Sequence, residues 1–212
     1  MKKRAILILG LSILLLGACA TPQESAKPEA PPTAVEPTEP PTASEPTTAP
    51  VPTETPPEVT EPGLPFELIS TAFEQGQSIP AQYSCDGEDI SPSLAWGDPP
   101  ADAQSLALIM DDPDAPGGTW DHWVVFNIPV ELRELPEAVS AELLPAIFGK
   151  NSWGRSDYGG PCPPGGTHRY FFKLYALDIS LGLDQNANKT QVLAAMEGHI
   201  LAETELMGTY SH

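Results

Sequence analysis

Of the chain's 26 prolines, fourteen fall between Ala20 and Pro65, a stretch that otherwise consists almost wholly of Thr, Glu, Ala, Ser and Val and holds a single leucine. Proline fixes φ and removes an amide donor, so this stretch can sustain neither a helix nor a strand ladder, and it has no apolar side chains with which to bury a core. It reads as an extended, polyproline-biased, negatively charged and disordered tether, reaching on the order of 100 Å at about 3.1 Å per residue. Any globular fold must be built from Phe66 to His212, 147 residues, the size of one ordinary domain with a sizeable core.

The N-terminus precludes a simple cytoplasmic reading. Lys2, Lys3 and Arg4 precede an apolar run from Ala5 to Leu16, the pattern of a secretory signal over residues 1–18, too short and wrongly flanked for a spanning helix. The run ends in Leu16-Gly17-Ala18-Cys19, which resembles a bacterial lipobox and implies a diacylglycerol on Cys19; the alternative is a plain signal with an incidental cysteine. The expected organisation is therefore signal peptide 1–18, lipidated cysteine and tether 19–65, and domain 66–212, held on the outer side of a membrane in the cell envelope. A net charge of −19 gives no electrostatic footprint for nucleic acid and repels anionic membrane surfaces, which leaves the anchoring to the lipid.

With Cys19 lipidated, Cys85 and Cys162 are the remaining cysteines. In an oxidising compartment a single disulfide between them is the economical reading, with two free thiols as the alternative. There is no CxxC pair, and the histidines do not lie at zinc-ligand intervals, so no metal and no cofactor is expected.

Within the domain, Phe66 to Ser70, Leu94 to Trp96, Ser105 to Met110, Asp121 to Ile128 and Tyr170 to Leu177 read as strands, the third as one buried on both faces. Val192, Leu193, Met196, Ile200 and Leu201 recur at helical spacing and predict one helix from Thr190 to about Glu203, capped by Asn188 or Thr190, with Leu206 to Tyr210 as a last strand. Many strands and one late helix predict a mainly antiparallel β-domain instead of alternating βαβ units.

Between these elements, Gly149 to Tyr170 mixes glycines and prolines with His168, Arg169, Tyr158, Tyr170 and Cys162, the composition of a stiff, shaped loop feeding a strand. Three strand ends carry polar side chains: Asp112 and Asp114, His122, and His168 with Tyr170. Taken singly each has a plain role, as turn aspartate, half-buried histidine or strand aromatic. Converging on one rim of the sheet, two imidazoles, a phenol and glycine amides would suit an anion, and the aspartates would orient a histidine, donate when protonated, or accept from an ammonium.

The segments Asp112-Pro113-Asp114-Ala115-Pro116, His122-Trp123-Val124, and Gly159-Gly160-Pro161 followed by Pro163-Pro164 and His168-Arg169-Tyr170 resemble the paired motifs of the phosphatidylethanolamine-binding protein family, which includes the Raf kinase inhibitor proteins. Cys85-Asp86-Gly87-Glu88-Asp89-Ile90-Ser91-Pro92 is similar to its bacterial branch. The resemblance implies a central antiparallel sheet with a smaller second sheet and few helices. It also implies a small anion pocket lined by Asp112, Asp114, Trp120, His122, Gly160, Pro161, His168 and Tyr170, and a cis peptide at Ala115-Pro116. The short loop Gly117-Gly118-Thr119 departs from the animal members, and kinase inhibition does not carry over to a surface lipoprotein.

These observations point to a noncatalytic, lipid-anchored binding module for a phosphorylated or anionic small molecule, such as a phospholipid head group or a phosphopeptide. The alternatives are a phosphoester or acyl hydrolase using a His/Asp pair, and a protein inhibitor of a protease or kinase-like partner. Against the hydrolase, Ser152 and Ser156 lack a GxSxG frame.

Overall fold

The computed structural model describes residues 63–212; the expected signal peptide, the Cys19 anchor and nearly all of the expected tether lie outside the described residues. Among the described residues, eight strands form two antiparallel sheets. The smaller has β2 (Leu94–Trp96) between β1 (Leu68–Ile69) and β5 (Glu134–Leu135). The larger runs β6 (Ile147–Phe148), β4 (Trp120–Ile128), β3 (Ser105–Asp112), β7 (Thr167–Leu177), β8 (Ile200–Ser211). The one α-helix among the described residues, α1 (Lys189–Met196), precedes β8. The fold is mainly β, as the strand-rich sequence predicts.

The apolar run at the centre of the sheet explains its place there. All eight residues of β3 are buried, and alternation sends them into two cores. Leu106, Leu108 and Met110 face the core shared with the small sheet, together with Trp96, Trp123, Tyr170 and Phe172. Ala107 and Ile109 face a second core closed by Val192 and Met196 of α1. Each fully buried Leu, Ile or Met contributes roughly 1.5–3 kcal/mol, so β3 is where the layers are joined most strongly.

The helix is shorter than its sequence periodicity predicts. Its start is a capping box: Asn188 accepts from the Gln191 amide at 3.1 Å, and the Gln191 side chain accepts from the Asn188 amide at 3.0 Å. It stops at Met196 because the chain turns at Gly198, whose φ of 82° glycine adopts without strain. Ile200 and Leu201, expected on the helix, instead open β8, which pairs along nearly all of β7. That continuous ladder outweighs the helical spacing of two side chains, which remain 43% and 39% exposed. The strand expected over Leu206 to Tyr210 is the second half of β8.

The turn after β3 also departs from expectation. Among the described residues no peptide bond is cis, so Ala115-Pro116 is trans. The chain reverses by other means: the Asp114 amide donates to Asp112 Oδ1 at 2.8 Å, and the Gly118 amide donates to the Ala115 carbonyl at 3.1 Å with Gly118 at φ 106°. Cys85 and Cys162 are disulfide-bonded, tying the loop before β2 to the Gly149–Tyr170 loop.

Candidate functional site

From the pair Leu108 with Val125 to the pair Met110 with Trp123 the register of β3 and β4 is regular, but the next pair is Asp111 with Asp121. One residue of β4, His122, is therefore extra, and such a bulge bends its strand and re-aims its side chains. The His122 ring stacks edge-on against Tyr170 at 5.2 Å and Trp153 at 5.1 Å, on the side of the sheet where Met110 and Trp123 pack. Asp112, two residues beyond Met110, emerges on the same side.

The two meet at a cleft of about 600 Å³ whose walls include Asp112, Pro116, Trp120, His122, Trp153 and Cys162. Trp120 and Trp153 stand edge to face at 5.4 Å and form its mouth. His122 is 3% exposed and its Nδ1 lies 2.7 Å from the Gly159 carbonyl. A carbonyl only accepts, so Nδ1 carries the hydrogen, and Nε2 is the ring nitrogen left for the cleft. Burial, only partly offset by the Gly159 carbonyl and the Asp112 charge, lowers the pKa of this ring below its ordinary value. At neutral pH Nε2 therefore presents a lone pair.

Asp112 is buried with both oxygens engaged: Oδ1 accepts the Asp114 amide, and Oδ2 accepts from His168 Nδ1 at 2.7 Å. Tyr170 is fully buried behind His122, and its hydroxyl has no hydrogen-bond partner. Burial first, then the charge of Asp112, push this phenol well above its usual range. Buried polar atoms without partners are uncommon; this hydroxyl lies near the Asp112 carboxylate and the Cys162 backbone without a well-formed bond to either.

The eight residues expected at the pocket fall into three groups. Asp112, Trp120 and His122 line the cleft. His168 and Tyr170 stand behind them, holding Asp112 and packing on the His122 ring respectively. Asp114, Gly160 and Pro161 lie elsewhere. The Asp114 carboxylate is taken up by Arg169, which donates from Nε at 2.8 Å, Nη2 at 2.7 Å and its backbone amide at 3.0 Å. That fork lowers the Asp114 pKa to about 2. The Gly160 amide donates to Asp89 Oδ1 at 2.6 Å, and a Cβ on Gly160 would run into the Tyr83 carbonyl oxygen, so glycine is required there for close packing. Gly160 borders a second hollow of about 420 Å³, shared with Cys85, Asp89, Arg155 and Cys162. The Pro161 carbonyl accepts the Cys85 amide at 3.1 Å.

Sequence reasoning did not single out Trp153. It touches His122 and Trp120 and borders both hollows. Its signal was present, a large aromatic in a glycine-rich polar loop with no apolar periodicity around it. Of the two serines weighed as nucleophiles, Ser152 lines the cleft with His122, and each is hydrogen-bonded to a group other than a histidine. Ser152 Oγ accepts the Asp121 amide at 2.8 Å, and Ser156 Oγ donates to the Gln185 carbonyl at 3.2 Å.

Comparison with known proteins gives a consistent result. Residues 69–211 match the family model described as phosphatidylethanolamine-binding protein. A UPF0098 protein of Methanothermobacter thermautotrophicus is 54% identical over 146 residues, 68% of this chain and 97% of the relative. One from Aquifex aeolicus is 48% identical over 153 residues, 70% of this chain and 90% of the relative. Among solved structures, the phosphatidylethanolamine-binding protein homolog CT736 of Chlamydia trachomatis is similar with a TM-score of 0.66 and 44% identity, over 69% of this chain and 97% of that one. E. coli YbcL, described as a new member of the mammalian family, is similar with a TM-score of 0.66 and 32% identity, over 69% and 98%.

Proposed function

The chain belongs to the phosphatidylethanolamine-binding protein family, and on that premise we propose that it is a noncatalytic binding module whose cleft takes a phosphorylated or otherwise anionic small molecule. The proposal includes its place: outside the cytoplasm, on a lipid at Cys19, with a phospholipid head group as the nearest source of such a ligand.

One observation carries the reading. His122 is locked through Nδ1 and keeps Nε2 for the cleft. A phosphate group that still carries a proton donates its hydroxyl to that lone pair; a fully deprotonated phosphate monoester instead raises the ring's pKa and draws a proton onto Nε2, which then donates. Either way, binding prefers a ligand that brings or recruits one proton. Tyr170 supplies a second donor if its ring shifts slightly, and the tryptophans exclude water from one side.

A hydrolase built on the Asp112 and His168 pair would need a hydroxyl or water aligned on His168. Ser152 Oγ accepts from the Asp121 amide and Ser156 Oγ donates to the Gln185 carbonyl, and neither is hydrogen-bonded to His168. No observation favours a protein-inhibitor role.

Calorimetric titration of the full chain with phosphoethanolamine and with inorganic phosphate tests the proposal. His122→Asn keeps a donor for the Gly159 carbonyl but removes Nε2, and it should weaken both ligands by about tenfold or more, the worth of one hydrogen bond to a charged group. Equal affinities for the variant and the parent would reject this cleft as the site.

A further inference from the structure

The Cys85–Cys162 disulfide is exposed at both residues and sits beside the C-terminal end of β8. His212 Nε2 lies 4.0 Å from Cys162 Sγ. The other nitrogen of that ring, Nδ1, lies 3.0 Å from Asp86 Oδ2, and the Tyr210 hydroxyl donates to the same oxygen at 2.6 Å. Asp86 is thus fixed by Tyr210, and it orients the imidazole so that Nε2 faces sulfur. A carboxylate, an imidazole and a sulfur in this order form the constellation that activates sulfur chemistry, and here the sulfur belongs to a disulfide. Both cysteines border the 420 Å³ hollow, whose lining includes Arg155, paired with Asp157, and the Asp89 carboxylate.

We infer that this disulfide is a thiol–disulfide exchange site that oxidises external dithiols, with Cys85 as the sulfur attacked and Cys162 as the leaving sulfur. An incoming thiolate forms a bond to Cys85 Sγ as the Cys85–Cys162 bond breaks. The electron pair of that bond leaves on Cys162 Sγ, which takes the proton of the His212 imidazolium or remains a thiolate beside it. The second thiol of the same dithiol then loses its proton to solvent and attacks the sulfur bonded to Cys85, releasing Cys85 as a thiolate. The external dithiol ends as a disulfide, the protein ends with two reduced cysteines, and two electrons have moved. Cys162 also borders the anion cleft, but the test uses no phosphate, so it can fail independently of that reading.

The test follows reduction of the full chain by dithiothreitol, quenched by alkylation and read as free thiols by mass spectrometry. His212→Asn and Asp86→Asn should each slow reduction on the order of tenfold relative to the parent chain, because the leaving sulfur loses its stabilising partner. Circular dichroism of the oxidised variants checks that the fold is intact. A rate for His212→Asn equal to that of the parent overturns the assignment. If His212→Asn fails to fold, single cysteines decide: with Cys85→Ser, the free Cys162 should be alkylated by iodoacetamide faster than Cys85 is in Cys162→Ser. Equal alkylation rates overturn the assignment as well.

Discussion

Asp111 of β3 and Asp121 of β4 are direct register partners across the sheet, and the Lys189 ammonium of α1 lies between them, 2.7 Å from one carboxylate and 2.9 Å from the other. Like charges directly opposite would splay the strand ends. The lysine converts that repulsion into a bridge, and Lys173 adds a second cation on Asp111 at 3.1 Å. The next residues along the two strands are Asp112 and His122, so a network on the helix side of the sheet fixes the spacing of the cleft on the other side.

Lys189→Met should therefore be costly. It leaves two buried or half-buried carboxylates opposed with only Lys173 to compensate, and the expected loss is about 3 kcal/mol, measured by urea unfolding. Lys189→Arg should recover part of it. A methionine variant as stable as the parent would show that the bridge contributes nothing.

The pH dependence of stability has a sign set by His122. Burial lowers its folded-state pKa, so the unfolded chain takes up a proton at this position that the native ring resists. Its contribution is full above the unfolded value near 6.5 and declines as the pH falls toward the folded value. His122→Asn should flatten the stability curve over roughly pH 5 to 7. Asp114 acts lower on the scale: its pKa is lowered from 3.8 to about 2, so its pairing with Arg169 stabilises above 3.8 and is lost as the pH falls toward 2. Unfolding midpoints measured from pH 2 to 8 for the parent, His122→Asn and Asp114→Asn separate the two limbs.

Trp153 is the side chain that keeps water from one face of His122. Trp153→Ala should open that face, reduce the desolvation that dominates the shift, and bring the His122 pKa up toward its ordinary value. Following the imidazole carbon-bound proton by NMR across pH 4 to 8 reads the change, and a variant titrating at or below the parent value would remove Trp153 from the account.

Much of this arrangement was legible in the chain. The buried run of β3, the bounds of β2 and the strand following the glycine loop follow from apolar patterning alone, and the paired motifs carried the family. What could not be read depends on partners distant in sequence. Strands β5 and β6 are two residues each and have no period. The end of α1 was obscured because Ile200 and Leu201 satisfy a helical spacing that only the β7 pairing overrides. Asp114 looks like Asp112 in the sequence, yet the fork of Arg169, 55 residues away, takes it out of the cleft. The aim of His122 depends on one bulge, and no pattern in β4 announces it. Gly160 and Pro161 are taken up by Asp89 and the Cys85 amide, partners more than seventy residues away in the chain.

The central claim is that His122 Nε2 faces the ligand. Nitrogen-15 NMR of the full chain, with and without inorganic phosphate, reads the protonation of each ring nitrogen directly. The account predicts a neutral His122 with hydrogen on Nδ1 at pH 7, and a saturable shift of Nε2 toward the hydrogen-bonded or protonated position when phosphate is added. A His122 signal that stays unmoved while phosphate binds, or a ring carrying its hydrogen on Nε2 in the free protein, would contradict it.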